Sequence, residues 1–383
     1  MKEKNAFTLI ELLAVIVVLA IIALIATPIV MNTINNAKKG ATERSAENYI
    51  DAVEIVVSTK RLDGNILEGE YLIQTDGNLC PTSGCGENDK DKVIVEVNGN
   101  KPTSGTIVIK DGQVTTDSKM TIGEYIVHYD ETTKRYAVAE PKKYNNGEVV
   151  YFNVDTGTKC TSSEAVSTTG TKSGCMKFYA FNDDGGNTLN LILDHNTTAK
   201  VAWNSNNSNT SGPKEVLEQL KNDTDTWQGT ITPTNYTMDQ TGQLNNAKYT
   251  IDYSDYKARL ITANEIATIT DYSEWDEKVA INSDWYYLDS KTTVYSNTCK
   301  SGNTSGCQYG WLYDRTNKSC TEYGCLNNSD QDTYGYWTAS SRANNSSNAW
   351  HVGYTNSMSN YNVSISPIYG VRPVITVSKS KLN

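Results

Sequence analysis

The carboxylate of Glu11 is the only ionisable side chain in the otherwise uncharged stretch from Phe7 to Met31. In an apolar environment such a carboxylate costs on the order of 3 kcal/mol even on a lenient scale, so it needs a partner or a purpose. The chemistry that we expect of Glu11 is therefore charge pairing.

Candidate catalytic groups are few. Asp194 and His195 are the only acid–histidine neighbours, and as successive residues of a strand they would point to opposite faces. The sequence has neither a G-x-S-x-G nor an H-E-x-x-H motif, and residues 170–173 do not make a complete phosphate-binding loop. We therefore expect no enzymatic activity and no cofactor.

The eight cysteines form four close pairs, which predict local disulfides on the outer side of a membrane, although roughly a hundred connectivities are formally possible. The pairs are Cys80/Cys85, Cys160/Cys175, Cys299/Cys307 and Cys320/Cys325. Zinc is disfavoured because no C-x2-C spacing occurs. Asp330 to Asp332 and residues 182–187 are oxygen-rich, but Ser341 stands where a calcium loop needs glutamate. We expect no metal site.

The segment 281–335 combines Trp285, Trp311 and seven tyrosines with many serine, asparagine and glycine residues. Rigid aromatic side chains among adaptable polar ones are typical of recognition loops. Trp285 and Trp311 are therefore candidate ligand-binding residues. The alternative is a long insertion stabilised by local disulfides.

The first element that must position these residues is a long helix. Residues 7–31 would span roughly 37 Å, enough to cross a bilayer once. Pro28 should kink or locally melt this helix. Further on, apolar residues recur at spacings of three and four, which predicts an amphipathic continuation to about Arg61. They are Ala46, Tyr49, Ile50, Val53, Val56 and Val57.

The remaining residues exceed one typical domain. Alternating apolar residues predict a small antiparallel sheet on the helix, with strands at 93–97, 107–109, 125–129 and 136–138. The turn-rich segment 141–147 is predicted as a linker. Beyond it, residues 148–383 are predicted as an α+β domain with strands at 149–152, 175–181 and 189–193, and helices after Pro213 and Thr262.

The net charge of −10 makes nucleic acid an improbable partner.

The stretch Ala6-Phe7-Thr8-Leu9-Ile10-Glu11, with the apolar run after it, resembles the class III signal of type IV pilins and pseudopilins. The resemblance implies that prepilin peptidase removes the leader 1–6 and that Phe7 is N-methylated, although Ala6 stands where glycine is usual. In a filament, Glu11 would then neutralise the amino group of Phe7 on a neighbouring subunit. Pro28 also matches the family.

The same resemblance implies a pilin fold, with residues 7–31 as transmembrane and filament-core helix and 32–140 as a head. It implies a single-pass protein of the cell membrane before assembly and of a surface pilus afterwards. The implied partners are other pilin subunits, prepilin peptidase and the pilus assembly machinery.

The second domain resembles C-type-lectin-like and formylglycine-generating-enzyme-like surface modules. The resemblance rests on the motifs 259–263, 336–341, 349–353 and 370–375, of which the last reads Gly-Val-Arg-Pro-Val-Ile. The cysteines do not match the reactive pair of the formylglycine enzymes, so that activity does not carry over. Trp337, Trp350 and Arg372 are expected to be structural.

These features together predict a minor or tip pilin with a distal domain for adhesion to a carbohydrate or protein. The alternative is a pseudopilin of a type II secretion-like or competence apparatus. Extended fibres that carry the protein would separate the two.

Overall fold

The computed structural model describes residues 9–86, 89–139, 141–165, 174–277, 284–293, 297–300, 304–313, 334–364 and 368–382, with side chains from Thr33 onward except Asn35. The protein is α+β, and its strands outnumber its helices. The chain divides into two compact units, Met1–Glu140 and Pro141–Asn383.

Helix α1 (Leu9–Leu62) opens the first unit and continues through Pro28 without interruption. Local melting at Pro28, one of the two predicted effects, is therefore absent, and a kink there stays a prediction. Within the described residues, no helix is both long and apolar enough to cross a bilayer. The side chains of the predicted span 7–31 lie outside those residues.

One antiparallel sheet follows α1, with strand order β2-β1-β3-β5-β6-β7 and β4 paired with β3. Its strands are β1 (Gly69–Ile73), β2 (Leu79–Pro81), β3 (Ser104–Lys110), β4 (Gln113–Val114), β5 (Lys119–Ile122), β6 (Tyr125–Asp130) and β7 (Arg135–Val138).

The first core lies between α1 and this sheet. Five predicted apolar positions of α1 are buried there, with Val56 half-buried at the edge, which confirms the amphipathic pattern. The five are Ala46, Tyr49, Ile50, Val53 and Val57. The strand predicted at 93–97 is wrong, since only Val93 forms a bridge, with Leu79.

The second unit contains twelve described strands and five described α-helices. In chain order they are β8 (Val149–Asn153), β9 (Thr158–Lys159), α2 (Ser162–Ala165), β10 (Cys175–Phe181), β11 (Thr188–Leu193), α3 (Glu215–Thr224), β12 (Thr230–Ile231), β13 (Tyr236–Asp239), β14 (Lys248–Ile251), α4 (Ala263–Ile269), β15 (Trp285–Tyr287), α5 (Asn297–Lys300), α6 (Gly310–Tyr313), β16 (Gly335–Ser341), β17 (Asn348–Gly353), β18 (Ser357–Asn362) and β19 (Val374–Ser378).

The strands of the second unit form three antiparallel sheets, with orders β12-β19-β11-β10-β8-β9, β13-β14 and β15-β18-β17-β16. The four-stranded sheet contributes side chains to two cores. Trp337 and Ala349 enter one, and Tyr336, Trp350 and Val352 enter the other.

Both predicted helices of the second unit are confirmed. Val216, Leu217 and Leu220 of α3 are buried, as their spacing predicts. The Thr262 hydroxyl caps α4 by accepting the Glu265 N–H, and the Glu265 side chain accepts the Thr262 N–H, which completes a capping box.

The segment 141–147 belongs to the second unit. Tyr144 packs against its larger core. The Tyr144 N–H donates to the Asp183 carboxylate over 2.7 Å, and Lys379 Nζ lies 2.8 Å from the same carboxylate. The buried Asp183 carboxylate thus links Tyr144, near the start of the unit, to Lys379, which directly follows β19.

Candidate functional site

The residues predicted to direct processing and assembly lie at the N-terminal end of the chain. Ala6 and Phe7 are outside the described residues, and Glu11 and Pro28 are described only as backbone of α1. The structure therefore shows that Glu11 and Pro28 lie in helix α1, and their proposed roles rest on the sequence.

Three of the predicted cysteine pairs are bonded in the structure: Cys80–Cys85, Cys160–Cys175 and Cys299–Cys307. Cys320 and Cys325 lie outside the described residues. The Cys299 and Cys307 sulfur atoms lie close to the Asp289 carboxylate, in an arrangement that could suggest a metal site. Because both sulfurs are in a disulfide and Asp289 accepts the Tyr309 N–H, this group is structural.

The structure places Trp285 and Trp311 in different surroundings. Trp285 lies on the edge strand β15, is 47% exposed and contacts Tyr287 edge to face. Trp311 lies in α6, packs against a core and contacts Tyr179 at 5.6 Å between ring centroids. A Cβ at Gly147 would lie 2.5 Å from its Nε1 atom. Trp311 is thus a packing residue, and Trp285 is the better placed for a ligand.

The candidate dyad of Asp194 and His195 is built into other contacts. The His195 Nδ1 atom lies 4.0 Å from an Asp194 carboxylate oxygen, too far for a hydrogen bond. Lys177 Nζ lies 3.2 Å from the other oxygen. Burial is the largest single influence on the pKa of the Asp194 carboxyl and acts to raise it, but the Lys177 charge, the Tyr179 hydrogen bond and the Arg372 charge together lower it. Asp194 is therefore an ion-pair partner of Lys177.

The Asp183 carboxylate has a similar role. Burial acts to raise its pKa, but the hydrogen bond from Lys379 and two backbone N–H groups lower it. The ion pair with Lys379 therefore organises the oxygen-rich turn at 182–187. Asp330 and Asp332, in the other candidate calcium segment, lie outside the described residues.

Sequence reasoning missed a polar cluster around Glu277. The Tyr236 hydroxyl donates to Glu277 Oε1 over 2.6 Å, and the Ser340 hydroxyl donates to the same oxygen. Burial raises the pKa of the Glu277 carboxyl, although both hydroxyl groups act to lower it. Ser340 is fully buried and also accepts the Ala263 N–H. The cluster thus anchors α4 to β16.

Tyr236 also lines a groove of about 510 Å³ beside α4. Arg259 and Glu265 line the same groove and form a bidentate ion pair with distances of 2.7 and 2.8 Å. The Thr262 N–H donates to Glu265 as well. These charges neutralise each other, and the pair fixes α4 to the segment that carries Arg259.

Arg372 and Trp337 are buried structural residues, as expected from the sequence. The Arg372 guanidinium is 2% exposed and donates to the carbonyl oxygens of Leu193, Asp194, Trp311 and Leu312. Trp337 Nε1 donates to the Val201 carbonyl over 2.8 Å. Both side chains are buried and hydrogen-bonded to backbone carbonyl oxygens, so neither is available to a ligand.

Comparison with known proteins identifies the N-terminal residues. Residues 1–27 match the family model described as the prokaryotic N-terminal methylation motif. The chain begins with a class III pilin signal. This signal indicates a type IV pilin-like or pseudopilin precursor and implies processing by prepilin peptidase. No curated protein and no solved structure matches the chain.

Glu11 lies within the residues that the class III signal covers. No sequence signal pointed to Glu277, which lies in a charged stretch, Glu274 to Glu277, typical of a surface turn.

Proposed function

We propose that this chain is a type IV pilin-like subunit, assembled with other pilin subunits from the cell membrane into a surface filament. The class III signal at residues 1–27 is the observation that carries the proposal. In it, Phe7 becomes the methylated first residue, and Glu11 pairs with the amino group of a neighbouring subunit.

The organisation of α1 supports this role. Its buried positions begin at Thr42, and the described side chains from Thr33 to Ala41 are exposed or half-buried. The described side chains from Thr33 to Ala41 therefore precede the first core, and the helical backbone from Leu9 to Ala41 is roughly 50 Å long at 1.5 Å per residue. A helix of this length whose first part is apolar in sequence is suited to packing against the helices of neighbouring subunits.

We also propose that the subunit is a minor or tip component and that its second unit, a C-type-lectin-like domain, mediates adhesion. The size of Pro141–Asn383 favours this role, because so large a unit would crowd a closely repeated lattice. The half-exposed ring of Trp285 offers a contact surface. In this proposal the second unit binds and does not catalyse.

The test replaces Glu11 by glutamine, which keeps the shape of the side chain and removes its charge. We expect Glu11→Gln protein to be cut before Phe7 and methylated, yet to be depleted at least about tenfold from sheared surface filaments. The physical reason is that an unpaired amino group in an apolar core costs several kcal/mol. Mass spectrometry of the N-terminus and quantification of the sheared fraction measure both steps.

Glu54→Gln is the matched control, since Glu54 is an exposed residue of the same helix. It should assemble like the unmodified protein. Uncut Met1 in the membrane fraction would contradict the proposal. Cut and methylated protein that never enters extended fibres would instead indicate the alternative, a pseudopilin of a secretion or competence apparatus.

A further inference from the structure

We propose that the outer face of the strand pair β15–β18 is a binding platform for uncharged glycans. The platform consists of Trp285, Tyr287, Ser357, Ser359 and Tyr361. The inference rests on the binding role proposed above for the second unit and assigns that role a surface and a class of ligand.

Strand register brings these five side chains to one face. Trp285 pairs with Ser359, and Tyr287 pairs with Ser357. Directly opposed residues of antiparallel strands share a face, and residues two apart on one strand do so as well. Tyr361 therefore joins the serines on the face of the two β15 rings.

Burial separates the two faces of the pair. Tyr286 and Met358 point to the opposite face, where they are 5% and 0% exposed within a core. On the platform, Trp285 is 47% and Tyr361 38% exposed. Large rings at a half-exposed sheet face lose part of their contact with water when a ligand covers them, which favours binding.

The rings are held in place before any ligand arrives. Trp285 and Tyr287 make an edge-to-face contact with centroids 4.7 Å apart. Tyr361 contacts Tyr369 at 5.7 Å, and Tyr369 stacks on the buried His351 ring at 3.8 Å. Because the rings are already ordered, binding costs less conformational entropy.

The chemistry of the platform matches a sugar. A pyranose ring has a face of polarised C–H groups, which an aromatic ring attracts through its negative π face, and a rim of hydroxyl groups. The Ser359 hydroxyl donates to the Asp284 carbonyl over 3.4 Å and the Ser357 hydroxyl lies 3.3 Å from the Thr355 hydroxyl, so the serines offer chiefly acceptor positions to that rim, and the Tyr361 phenol offers a neutral donor and acceptor.

Charge argues for a neutral glycan over a polyanion. The Asp284 carboxylate at the edge of the pair contacts the Arg342 guanidinium, so the two charges neutralise each other. Lys300 Nζ lies 5.7 Å from the centre of the Tyr287 ring, at one end of the platform. The formal net charge of the chain is −10, which repels polyanions.

The test titrates the full-length chain in detergent with chitohexaose, cellohexaose and mannohexaose by isothermal titration calorimetry. We expect at least one to bind. Trp285→Ala and Tyr361→Ala should each weaken that binding about tenfold, equivalent to about 1.4 kcal/mol. Trp285→Phe, which keeps a ring, should retain most of the affinity.

Leu244→Ala is the control for an exposed apolar side chain, since Leu244 is 86% exposed and lies outside the platform. It should bind like the unmodified chain. EDTA should leave the affinity unchanged because the five platform side chains include no carboxylate. Thermal melting followed by circular dichroism checks that each variant is folded.

Three outcomes overturn the platform: no binding of any of the three glycans at millimolar concentration, binding that survives Trp285→Ala and Tyr361→Ala, or binding lost on chelation. Capture of a protein ligand through Trp285 without glycan binding also overturns it. The same measurements distinguish failure of the platform proposal from failure of the filament proposal. Chains that bind glycan but never enter fibres would contradict the filament proposal alone. Chains that enter fibres but bind no glycan would contradict the platform proposal alone.

Discussion

His351 is a buried titratable side chain that lies among aromatic rings. Its ring is 4% exposed, stacks on Tyr369, and meets Trp337 and Tyr361 edge to face. Burial lowers the pKa of His351 from 6.5 to about 3. The neutral imidazole therefore serves as a flat packing group beside the platform, on the face that it shares with Ser359.

This burial predicts an acid-sensitive second unit. As pH falls below 6.5, His351 becomes protonated in the unfolded chain, whereas in the folded chain it stays neutral down to about pH 3. Stability therefore decreases over that window, by about 2 kcal/mol between pH 7 and pH 5. His351→Phe keeps a flat ring and removes the titration, so its loss between these pH values should be about 2 kcal/mol smaller.

Urea unfolding followed by tryptophan fluorescence measures this difference. The control is His128→Phe, because His128 is exposed on β6 of the first unit. If His351→Phe loses as much stability as the unmodified chain between the two pH values, His351 does not stay neutral on folding.

At the scale of the element, α1 shows how spacing alone separates a packed face from an open one. Val53 is fully buried against the sheet, whereas Ile55, two residues on, is 66% exposed. Two residues along a helix turn the side chain by about 200°, which carries it from the core to the outside.

Val53→Ala should lower the stability of the first unit by about 2 kcal/mol, since it removes buried methyl groups and leaves a cavity. Ile55→Ala, the matched control, should change it by less than about 0.5 kcal/mol. All seven tryptophans lie in the second unit. Urea unfolding should therefore shift in circular dichroism but not in tryptophan fluorescence. Equal shifts in both signals would show that the two cores unfold together.

Elements with strong local patterns could be predicted from the sequence. The spacing of Val216, Leu217 and Leu220 predicted α3, and Thr262 with Glu265 predicted the start of α4. The alternation of Val93, Val95 and Val97 predicted their burial but not their pairing. Val95 N–H donates to the Asn78 side chain, so no strand partner takes that position. Pairing depends on a distant segment, which a local pattern does not contain.

The candidate site was less predictable for the same reason. β18, with the sequence Ser-Met-Ser-Asn-Tyr-Asn, has one fully buried apolar residue, Met358, and no apolar alternation to mark it as a strand. Trp285 and Trp311 share a similar local composition, and only tertiary packing against Gly147 and Tyr179 distinguishes the second from the first. Glu277 acquires its partners from β13 and β16, far away along the chain.

At the scale of the whole molecule, each unit has its own core. α1 and the first sheet enclose one, and the helices and sheets that follow Pro141 enclose the others. The proposed roles in assembly and in adhesion therefore fall in separate units of the chain, a division that deletion can test.

Removal of Pro141–Asn383 should leave a processed first unit that still enters filaments, because its core is complete without the second unit. Attachment of cells to glycan-coated or host-cell surfaces should be lost. Filament yield from shearing and adherent cell counts measure the two effects. The point variant Trp285→Ala, which leaves the second unit in place, should reduce attachment with normal filament yield. Unchanged attachment after the deletion would exclude an adhesive role for the second unit.

The placement of β19 also determines the order in which the molecule can be made. A chain leaves the ribosome N-terminus first, so every strand of the first unit exists once Val138 has emerged. The six-stranded sheet, in contrast, lacks the strand between β11 and β12 until Ser378 has followed. Translation that stops short of Val374 thus yields a first unit with all of its strands, followed by a sheet in which the β11 edge is unpaired and prone to aggregation.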